Sequence, residues 1–356
     1  MIVHLALLFT ILFLCFIARK RQSRLNIVLI LAFLAITVYL GLRYDYGLDY
    51  GAYQASFGSV SDDIFRSGEH FFITVLRSFH YYYQFIIFQT IILMASLFFF
   101  IKKNVRPELY YLFFFLFFTM NGMVFNMISA IRSTFSACII WFALDVCWIQ
   151  KKRILLYYLL VSSATLFHTS ALVFYAFPFI FLLNRINYKS AFAVLIIADI
   201  LSIDFTRPFF QLITQYESLS MYSEYDNTIE NATIFGALHK AIWLFPAYYI
   251  LKYSSILGMK ERRVMLISFS YFFLFFMGAT FQERFTTYLF PFVIYSISCV
   301  YNHLSKSERY ITIVPIFIVC IITTCLFYYR MATFYVGYPG NYLEYKTIFD
   351  APYFPY

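Results

Sequence analysis

Long apolar segments alternate with short polar breaks along most of the chain. Many of these segments approach the roughly 20 residues that a helix needs to cross a bilayer. The pattern predicts about twelve membrane spans, at residues 2–18, 25–42, 84–101, 107–122, 130–149, 154–167, 169–183, 190–204, 235–251, 264–281, 285–303 and 310–328. It therefore predicts an all-α polytopic integral membrane protein, with residues 1–356 in a single transmembrane domain.

The distribution of charge predicts how the spans are oriented. Only 13% of residues are charged, against about 25% in a soluble domain, so no soluble domain is expected. Most of the 27 Lys and Arg residues lie in alternate breaks, at 19–24, 102–106, 150–153, 184–189, 252–263 and 304–309. By the positive-inside rule these breaks face the cytoplasm, and both termini face outward. The net charge of +9 thus reflects orientation, and no nucleic-acid partner is expected.

The stretch 154–183 is predicted to form a short helical hairpin. It is apolar and lies between two basic breaks, which a single long helix would place on opposite faces of the membrane. Each arm of a hairpin would be roughly 21 Å long at the rise of an α-helix, which is shorter than the ~30 Å hydrocarbon core. We therefore expect His168, at the tip, to lie at the floor of a cavity that opens outward.

Three outward segments are long enough to contribute to a site: the loops 43–83 and 205–234, and the tail 329–356. Within the first loop, the run from Glu69 to Arg77 is typical of an interfacial amphipathic helix. The acidic second loop and the Tyr- and Pro-rich tail suit either a lid over an outer cavity or an ordinary solvated loop.

Several common kinds of site are missing from the sequence. No HExxH or DxD motif occurs, the six Cys residues lie in apolar segments without metal-ligand spacing, and no GxxxxGK[ST] loop is present. These patterns would indicate a metal site or nucleotide hydrolysis. We expect the cysteines to be small core residues, and we expect neither a cofactor nor a metal.

Ionisable side chains recur near the predicted outer ends of the helices. Arg43 follows the second span, Arg132 lies at the start of the fifth, and Glu283 and Arg284 precede the eleventh. Ionisable residues at membrane depth usually mark a functional cavity. Three arginines near His168 suit an anionic diphosphate whose leaving group needs its charge neutralised. The alternatives are snorkelling for Arg43, an ion pair between Glu283 and Arg284, and a structural role for the histidine.

The segment from Arg43 to Tyr53 combines one cation, two carboxylates and four phenols. Tyrosine rings stack on the faces of sugars, carboxylates accept hydrogen bonds from hydroxyls, and arginine grips phosphate oxygens as a fork. This patch predicts recognition of sugar and phosphate.

Several short motifs follow one another along the chain. They are Arg-x-x-x-Gly-x-Asp-Tyr-x-x-Tyr (Arg43, Gly47, Asp49, Tyr50, Tyr53), Glu-x-x-Phe (Glu69, Phe72), Ile-Arg (Ile131, Arg132), Phe-His-x-Ser (Phe167, His168, Ser170), Arg-x-x-x-Tyr (Arg284, Tyr288), and an aromatic tail near Tyr345–Phe349. Their order resembles the EpsG family of Wzy-type polysaccharide polymerases. Leu48 and Thr169 depart from the family pattern, where a small polar residue and an aromatic residue are expected, and these departures concern specificity more than chemistry.

The resemblance implies a GT-C-like, metal-independent glycosyltransferase that uses lipid-linked substrates. Such an enzyme transfers a growing glycan from undecaprenyl diphosphate to a lipid-linked repeat unit on the outer face of the bacterial cytoplasmic (inner) membrane. The partners that it implies are the undecaprenyl-diphosphate-linked oligosaccharide, membrane lipid, a chain-length regulator and a flippase. O-antigen, capsule and exopolysaccharide remain open as products.

We assign roles to these residues as hypotheses. His168 is the candidate general base, because histidine has an unperturbed pKa near 6.5, with Asp49 or Glu283 as the alternative base. Arg132 and Arg284 are expected to hold the donor diphosphate. The residues expected to bind the sugars are Arg43, Asp49, Tyr50, Tyr53, Glu69, Glu283 and Tyr288.

Two other functions remain as alternatives. A flippase for lipid-linked oligosaccharides would also need many spans, but transporters of that kind usually show two related halves, and no half repeat is visible. An O-antigen ligase-type transferase would share the outer histidine and differ in its acceptor.

Overall fold

The computed structural model describes residues 2–58, 70–120, 123–151, 153–180, 187–201, 243–253, 258–277, 279–304, 306–333, 342 and 344–350. The chain divides into two compact units. The first unit contains Met1–Cys147, Arg153–Leu172 and Cys320–Tyr356. The second contains Trp148–Lys152 and Val173–Val319.

Helices form most of the first unit. They are α1 (Ile2–Ala18), α2 (Gln22–Gly41), α3 (Tyr50–Gly58), α4 (His70–Arg77), α5 (Tyr82–Asn104), α6 (Tyr110–Thr119), α7 (Met123–Ser129), α8 (Ile131–Phe142) and α9 (Ile154–Thr165), with a 3₁₀ turn at Pro107–Leu109 before α6. Helix α2 packs against α1 and α5, while α8 packs against α5 and α9. The core of this unit is therefore made by α2, α5 and α8.

The helix predicted near 69–77 is present as α4, and its burial pattern is amphipathic. Phe72, Ile73 and Leu76 are buried, whereas Phe71 and Arg77 are exposed. This spacing places the apolar side chains on one face of a helix. The helix therefore presents its buried face to the rest of the first unit.

Among the described residues, three helices are long and apolar enough to cross a bilayer: Gln22–Gly41, Tyr82–Asn104 and Val314–Thr333. The segments Pro107–Thr119 and Met123–Ser129 meet at an angle of 61°. They would make a fourth span if the two are counted as one broken helix. The turn-forming dipeptide Asn121-Gly122 lies between those halves in the sequence. The chain is a largely helical membrane protein, and the number of about twelve spans stays a prediction.

The helix break predicted at His168 is present, but the second arm is not one α-helix. Helix α9 ends at Thr165, a 3₁₀ helix covers Thr169–Tyr175, and a single turn, α10 (Phe177–Ile180), follows. Pro178 has no N–H to donate to a carbonyl one turn earlier, which disfavours a continuous α-helix through this stretch.

The fifth predicted span also changes its form along its length. Helix α8 continues as a π-helix over Ala143–Lys151. Within it, the Asp145 carboxylate accepts hydrogen bonds from Lys103 Nζ at 2.7 Å and from Asn104 Nδ2 at 3.3 Å. This link joins the π-helix to the end of α5.

The second unit is built from further helices. They are α11 (Tyr188–Leu201), α12 (Leu244–Tyr253), α13 (Met259–Met277), α14 (Ala279–His303) and the first part of α15 (Lys306–Thr333). Helices α13 and α14 form the most extensive pair. The Ser268 hydroxyl links them, since it donates to the Phe292 carbonyl at 3.1 Å and lies 2.6 Å from the Ser296 hydroxyl.

A short pair of β-strands modifies the all-α prediction. Strand β1 (Arg43–Tyr44) pairs antiparallel with β2 (Lys346–Thr347), and a 3₁₀ turn at Ile348–Asp350 follows β2. The Ile348 N–H also donates to the Leu42 carbonyl at 2.9 Å. The described part of the tail is thus docked on the start of the outward loop. The sequence-based prediction missed the pairing because two-residue strands carry no periodicity.

The turn after β1 depends on two residues with positive φ. Asp45 has φ of 45° and Gly47 has φ of 127°. The first value is in the left-handed region that Asp tolerates, whereas the second is essentially accessible only to glycine. A Cβ on Gly47 would also lie 3.5 Å from the Ile128 carbonyl oxygen and from the Ser129 hydroxyl.

We expect Gly47→Ala to destabilise the first unit by about 1–3 kcal/mol, the range for strain at such a backbone position. Gly51→Ala is a matched control, because Gly51 lies in α3 with open space around it, and alanine favours a helix by about 0.5–1 kcal/mol. Thermal unfolding of the purified protein in detergent measures both. Equal unfolding midpoints for the two variants would contradict the role assigned to Gly47.

Candidate functional site

An aromatic cluster joins the predicted sugar patch to three helices of the first unit. Its buried members are Tyr50, Tyr53, Phe72, Leu76, Tyr82, Phe85, Ile86, Ile131 and Phe135. Phe167 packs against the cluster, with its ring stacked on Phe135 at 5.4 Å and edge-on to Phe71 at 5.0 Å. The cluster therefore brings the patch, α4, α8 and the break before His168 together.

Arg132 and Tyr53 are in direct contact at this cluster. The Arg132 Nε–H donates to the Tyr53 hydroxyl at 3.2 Å, and the guanidinium carbon lies 5.7 Å from the centroid of the same ring. The two interactions hold the guanidinium plane in one orientation. The structure thus brings together Arg132, which was predicted to hold phosphate, and Tyr53, which was predicted to hold sugar.

His168 is held next to α8 through a shared carbonyl. Its backbone N–H donates to the Ala164 carbonyl at 3.2 Å, and the Ser136 hydroxyl donates to the same carbonyl at 2.9 Å. Ser136 lies four residues after Arg132 and therefore on the same face of α8. The histidine side chain is buried, with 5% of its surface exposed. Arg132 is thus one helical turn along α8 from Ser136, which shares the Ala164 carbonyl with the His168 N–H.

Arg43 occupies the interior of the protein, with 0% of its surface exposed. Its Nη1 donates to the Leu40 carbonyl and to the Thr90 hydroxyl, the latter at 2.9 Å. Its Nη2 donates to Gln89 Oε1 at 3.1 Å and to the Ile128 carbonyl at 3.3 Å. Both terminal nitrogens are committed to protein acceptors. The structure therefore shows Arg43 as an internal link between α2, α5 and α7.

Burial lowers the pKa of Arg43, while nearby tyrosines act in the opposite direction. The pKa of arginine starts so high that the group remains charged. A buried charge is costly unless it is hydrogen-bonded. The four acceptors supply bonds to the two terminal nitrogens, while Nε is buried without a hydrogen-bond partner. The side chain thus links α2, α5 and α7 at one point.

Ser129 positions the loop that carries Asp49. Its hydroxyl accepts a hydrogen bond from the Leu48 N–H at 2.9 Å and is hydrogen-bonded to the Tyr342 hydroxyl. Tyr342 also donates to the Phe125 carbonyl at 3.0 Å. The Asp49 carbonyl then accepts the Tyr53 N–H at 3.1 Å in the first turn of α3. The tail residue Tyr342 is thus part of the frame that orients the patch.

Four phenols at or near the patch, those of Tyr46, Tyr50, Tyr342 and Tyr345, are neutral at physiological pH. Burial raises the pKa of Tyr46, Tyr50 and Tyr342 above the ordinary value, and it raises the pKa of Tyr345 to about 12. A neutral phenol is both a donor and an acceptor of hydrogen bonds. These tyrosines can therefore bind hydroxyls or support a neighbouring group, and proton abstraction near pH 7 is left to another residue.

Four other predicted site residues have undescribed side chains or belong to the second unit. The Glu69 position and the side chains of Glu283 and Arg284 lie outside the described residues. Tyr288 belongs to the second unit, where its ring is buried and lies 5.0 Å from the ring of Phe174. The roles of these residues stay predictions. Among the residues that the structure describes, no group of three or more His, Cys, Asp or Glu side chains could hold a metal ion.

The sequence analysis did not identify Gln89, Ser129 or Tyr342 as part of this frame. Gln89 was the easiest of the three to predict, because a polar residue in the middle of an apolar span usually has a functional or structural role. Ser129 and Tyr342 had no such signal, since each is an ordinary polar residue whose partner is distant in the sequence.

The family model described as the EpsG family matches residues 26–347. The chain belongs to the EpsG family. EpsG proteins are Wzy-like polysaccharide polymerases, so the predicted resemblance is confirmed. The match covers nearly the whole of this EpsG chain, and it includes Arg132, His168 and the aromatic cluster. No curated protein and no solved structure matches the chain.

We expect Arg43→Lys to lower the thermal unfolding midpoint of this EpsG protein in detergent. A single ammonium cannot reproduce the planar fork that reaches four acceptors, and each buried polar group left without a partner costs about 1–3 kcal/mol. Arg77→Lys, at the exposed end of α4, is the control and should leave the midpoint unchanged. A midpoint for Arg43→Lys equal to wild type would show that the buried link is dispensable.

Proposed function

We propose that this protein polymerises a bacterial polysaccharide by transferring a growing glycan from undecaprenyl diphosphate to a lipid-linked repeat unit. The reaction takes place on the outer face of the cytoplasmic membrane, in a GT-C-like protein with about twelve spans and both termini outside. Membership of the EpsG family supports the polymerase class. The observation that carries the site assignment is the contact of Arg132 with Tyr53, one turn along α8 from Ser136, which shares the Ala164 carbonyl with the His168 N–H.

The proposed chemistry is a direct displacement at the anomeric carbon of the donor. His168 removes the proton from the acceptor hydroxyl as that oxygen forms a bond to the anomeric carbon. The bond between this carbon and the diphosphate oxygen breaks, and its electron pair leaves with undecaprenyl diphosphate. General base catalysis of this kind contributes about 10²–10⁴ in rate. No change of oxidation state occurs, so the step needs no redox partner.

Arg132 is proposed to neutralise the charge that develops on the diphosphate. Donors held in place before the reaction stabilise such charge most effectively, because the protein does not reorganise during the step. The bond from Arg132 Nε to Tyr53 and the contact of the guanidinium with the ring supply that rigidity. Arg284 is proposed as the second cation on the diphosphate.

The acceptor and donor sugars are proposed to lie along the patch formed by Asp49, Tyr50 and Tyr53, with Glu69, Glu283 and Tyr288 as further contacts. Arg43 then acts indirectly, because its buried guanidinium holds the end of α2 from which the patch extends. This assignment replaces the direct contact with substrate that the sequence suggested for Arg43.

In a strain that lacks this gene, we expect wild type to restore a ladder of glycan sizes, while His168→Ala leaves a single repeat unit. The backbone bonds of residue 168 survive this change, so the loss would report on the side chain. His303→Ala is the control, because that histidine is exposed and bonded to the Cys299 carbonyl, and it should restore the ladder.

Two results of that experiment would contradict the proposal. A full ladder from His168→Ala would transfer the role of base to a carboxylate, with Asp49 or Glu283 next. Loss of even the single repeat unit in the null strain would place the block at translocation or transfer, and a flippase or ligase would replace the polymerase.

With purified enzyme and lipid-linked repeat unit, we expect Arg132→Lys to lower the rate by about 10²–10³, the loss typical of one oxyanion donor. Tyr53→Phe keeps the ring and removes the hydroxyl that accepts from Arg132 Nε, so it should cost about tenfold or less. Equal losses for the two variants would show that Arg132 acts only through Tyr53 and does not hold the diphosphate. Arg284→Lys should behave as Arg132→Lys does.

A further inference from the structure

Of the three consecutive tyrosines at the start of α5, only the middle one, Tyr82, is buried. Tyr82 is turned inward, with 6% of its surface exposed, and its hydroxyl donates to the Tyr50 carbonyl at 3.2 Å. Its ring meets that of Tyr50 edge-on at 5.1 Å. The middle residue is thus built into the aromatic cluster of the candidate site.

The two flanking residues, Tyr81 and Tyr83, are half-buried and lie face to face. Their ring centroids are 5.4 Å apart and their planes differ by 9°. The exposed ring of His80 meets Tyr81 edge-on at 4.5 Å. We call Tyr81 and Tyr83 the tyrosine shelf.

The backbone beneath the shelf is held rigidly. The Gln84 side-chain oxygen accepts hydrogen bonds from the N–H groups of His80 and Tyr81, each at 3.2 Å. The Gln84 N–H in turn donates to the Tyr81 carbonyl at 3.1 Å. Reciprocal bonds of this kind fix the entry into a helix. The shelf is therefore preformed and loses little conformational entropy when it binds a ligand.

We propose that the tyrosine shelf binds the growing glycan at a distance from the reacting sugar. Apolar C–H faces of pyranose rings pack on aromatic rings, and phenolic hydroxyls bond to the sugar hydroxyls around them. The shelf is continuous with the candidate site, because Tyr82 between its members contacts Tyr50. The inference rests on the proposed function, since only a polymerase needs to retain a long glycan between transfers.

The consequence of retention is repeated extension of the same chain. A polymerase that releases its product early distributes repeat units over many short chains, whereas one that holds the product makes fewer and longer chains. The shelf consists of residues other than Arg132 and His168, to which the chemistry is assigned. Its loss should therefore shorten the polymer without slowing the formation of the first linkage.

The test compares Tyr81→Ala/Tyr83→Ala with wild type, using purified enzyme and lipid-linked repeat unit. We expect the modal chain length to fall several-fold, while the initial rate of joining two repeat units stays within about twofold of wild type. Tyr81→Phe/Tyr83→Phe keeps the rings and should retain most of the length. Tyr329→Ala is the matched control, because Tyr329 lies near the C-terminus of α15 with 62% of its surface exposed. This variant should give polymer of normal length.

An unchanged chain length in the double alanine variant would overturn the proposal. So would an equal shortening by Tyr329→Ala, which would show that any exposed tyrosine at the membrane interface has the same effect. If the double variant unfolds, saturation-transfer NMR on wild type and on Tyr83→Ala decides the matter. The probe is a lipid-free fragment of two repeat units, and transfer to the fragment should be strong in wild type and weak in the variant. If wild type makes no polymer at all, the proposed function fails, and the same NMR experiment still tests the shelf.

Discussion

The fold of the first unit depends on how one buried guanidinium is satisfied. Arg43 has left water completely, and an uncompensated charge in that position would be far too costly to keep. Its terminal nitrogens therefore collect acceptors from α2, α5 and α7. Because the acceptors come from three separate helices, this one side chain ties those helices together at a single point. The patch that begins at Arg43 starts from this anchored point.

The docked tail also contacts the loop that begins at Arg43. Strand β2 pairs with β1, and Tyr342 reaches Ser129 and the Phe125 carbonyl. The Tyr345 hydroxyl donates to the Tyr39 carbonyl. These contacts enclose the turn at Gly47 between α7 and the tail. A loop with two positive φ angles thus has a defined shape, which a solvated loop would not need.

The arrangement separates support from chemistry. Neutral tyrosines and the buried Arg43 hold the frame, and Arg132 is oriented by the hydroxyl and ring of Tyr53. Such orientation matters for a reaction in which negative charge moves onto a leaving group, because preorganised donors stabilise that charge without reorganisation. The aromatic cluster behind the site is buried, and electrostatic interactions are stronger beside such low-dielectric surroundings than in water.

The sequence was sufficient to predict a largely helical membrane protein, the break before His168, the amphipathic helix α4 and the family. Each of these depends on a local pattern, such as an apolar run, a periodicity of side chains or a short motif. The tertiary structure alone decided that Arg43 is an internal link, that the tail docks on the patch and that Arg132 meets Tyr53. These outcomes depend on partners that are far apart in the chain, as with Arg43 and Thr90, 47 residues apart, or Ser129 and Tyr342, 213 residues apart. A local pattern carries no information about such pairs, since their contact depends on how the helices pack and on which buried groups need a partner.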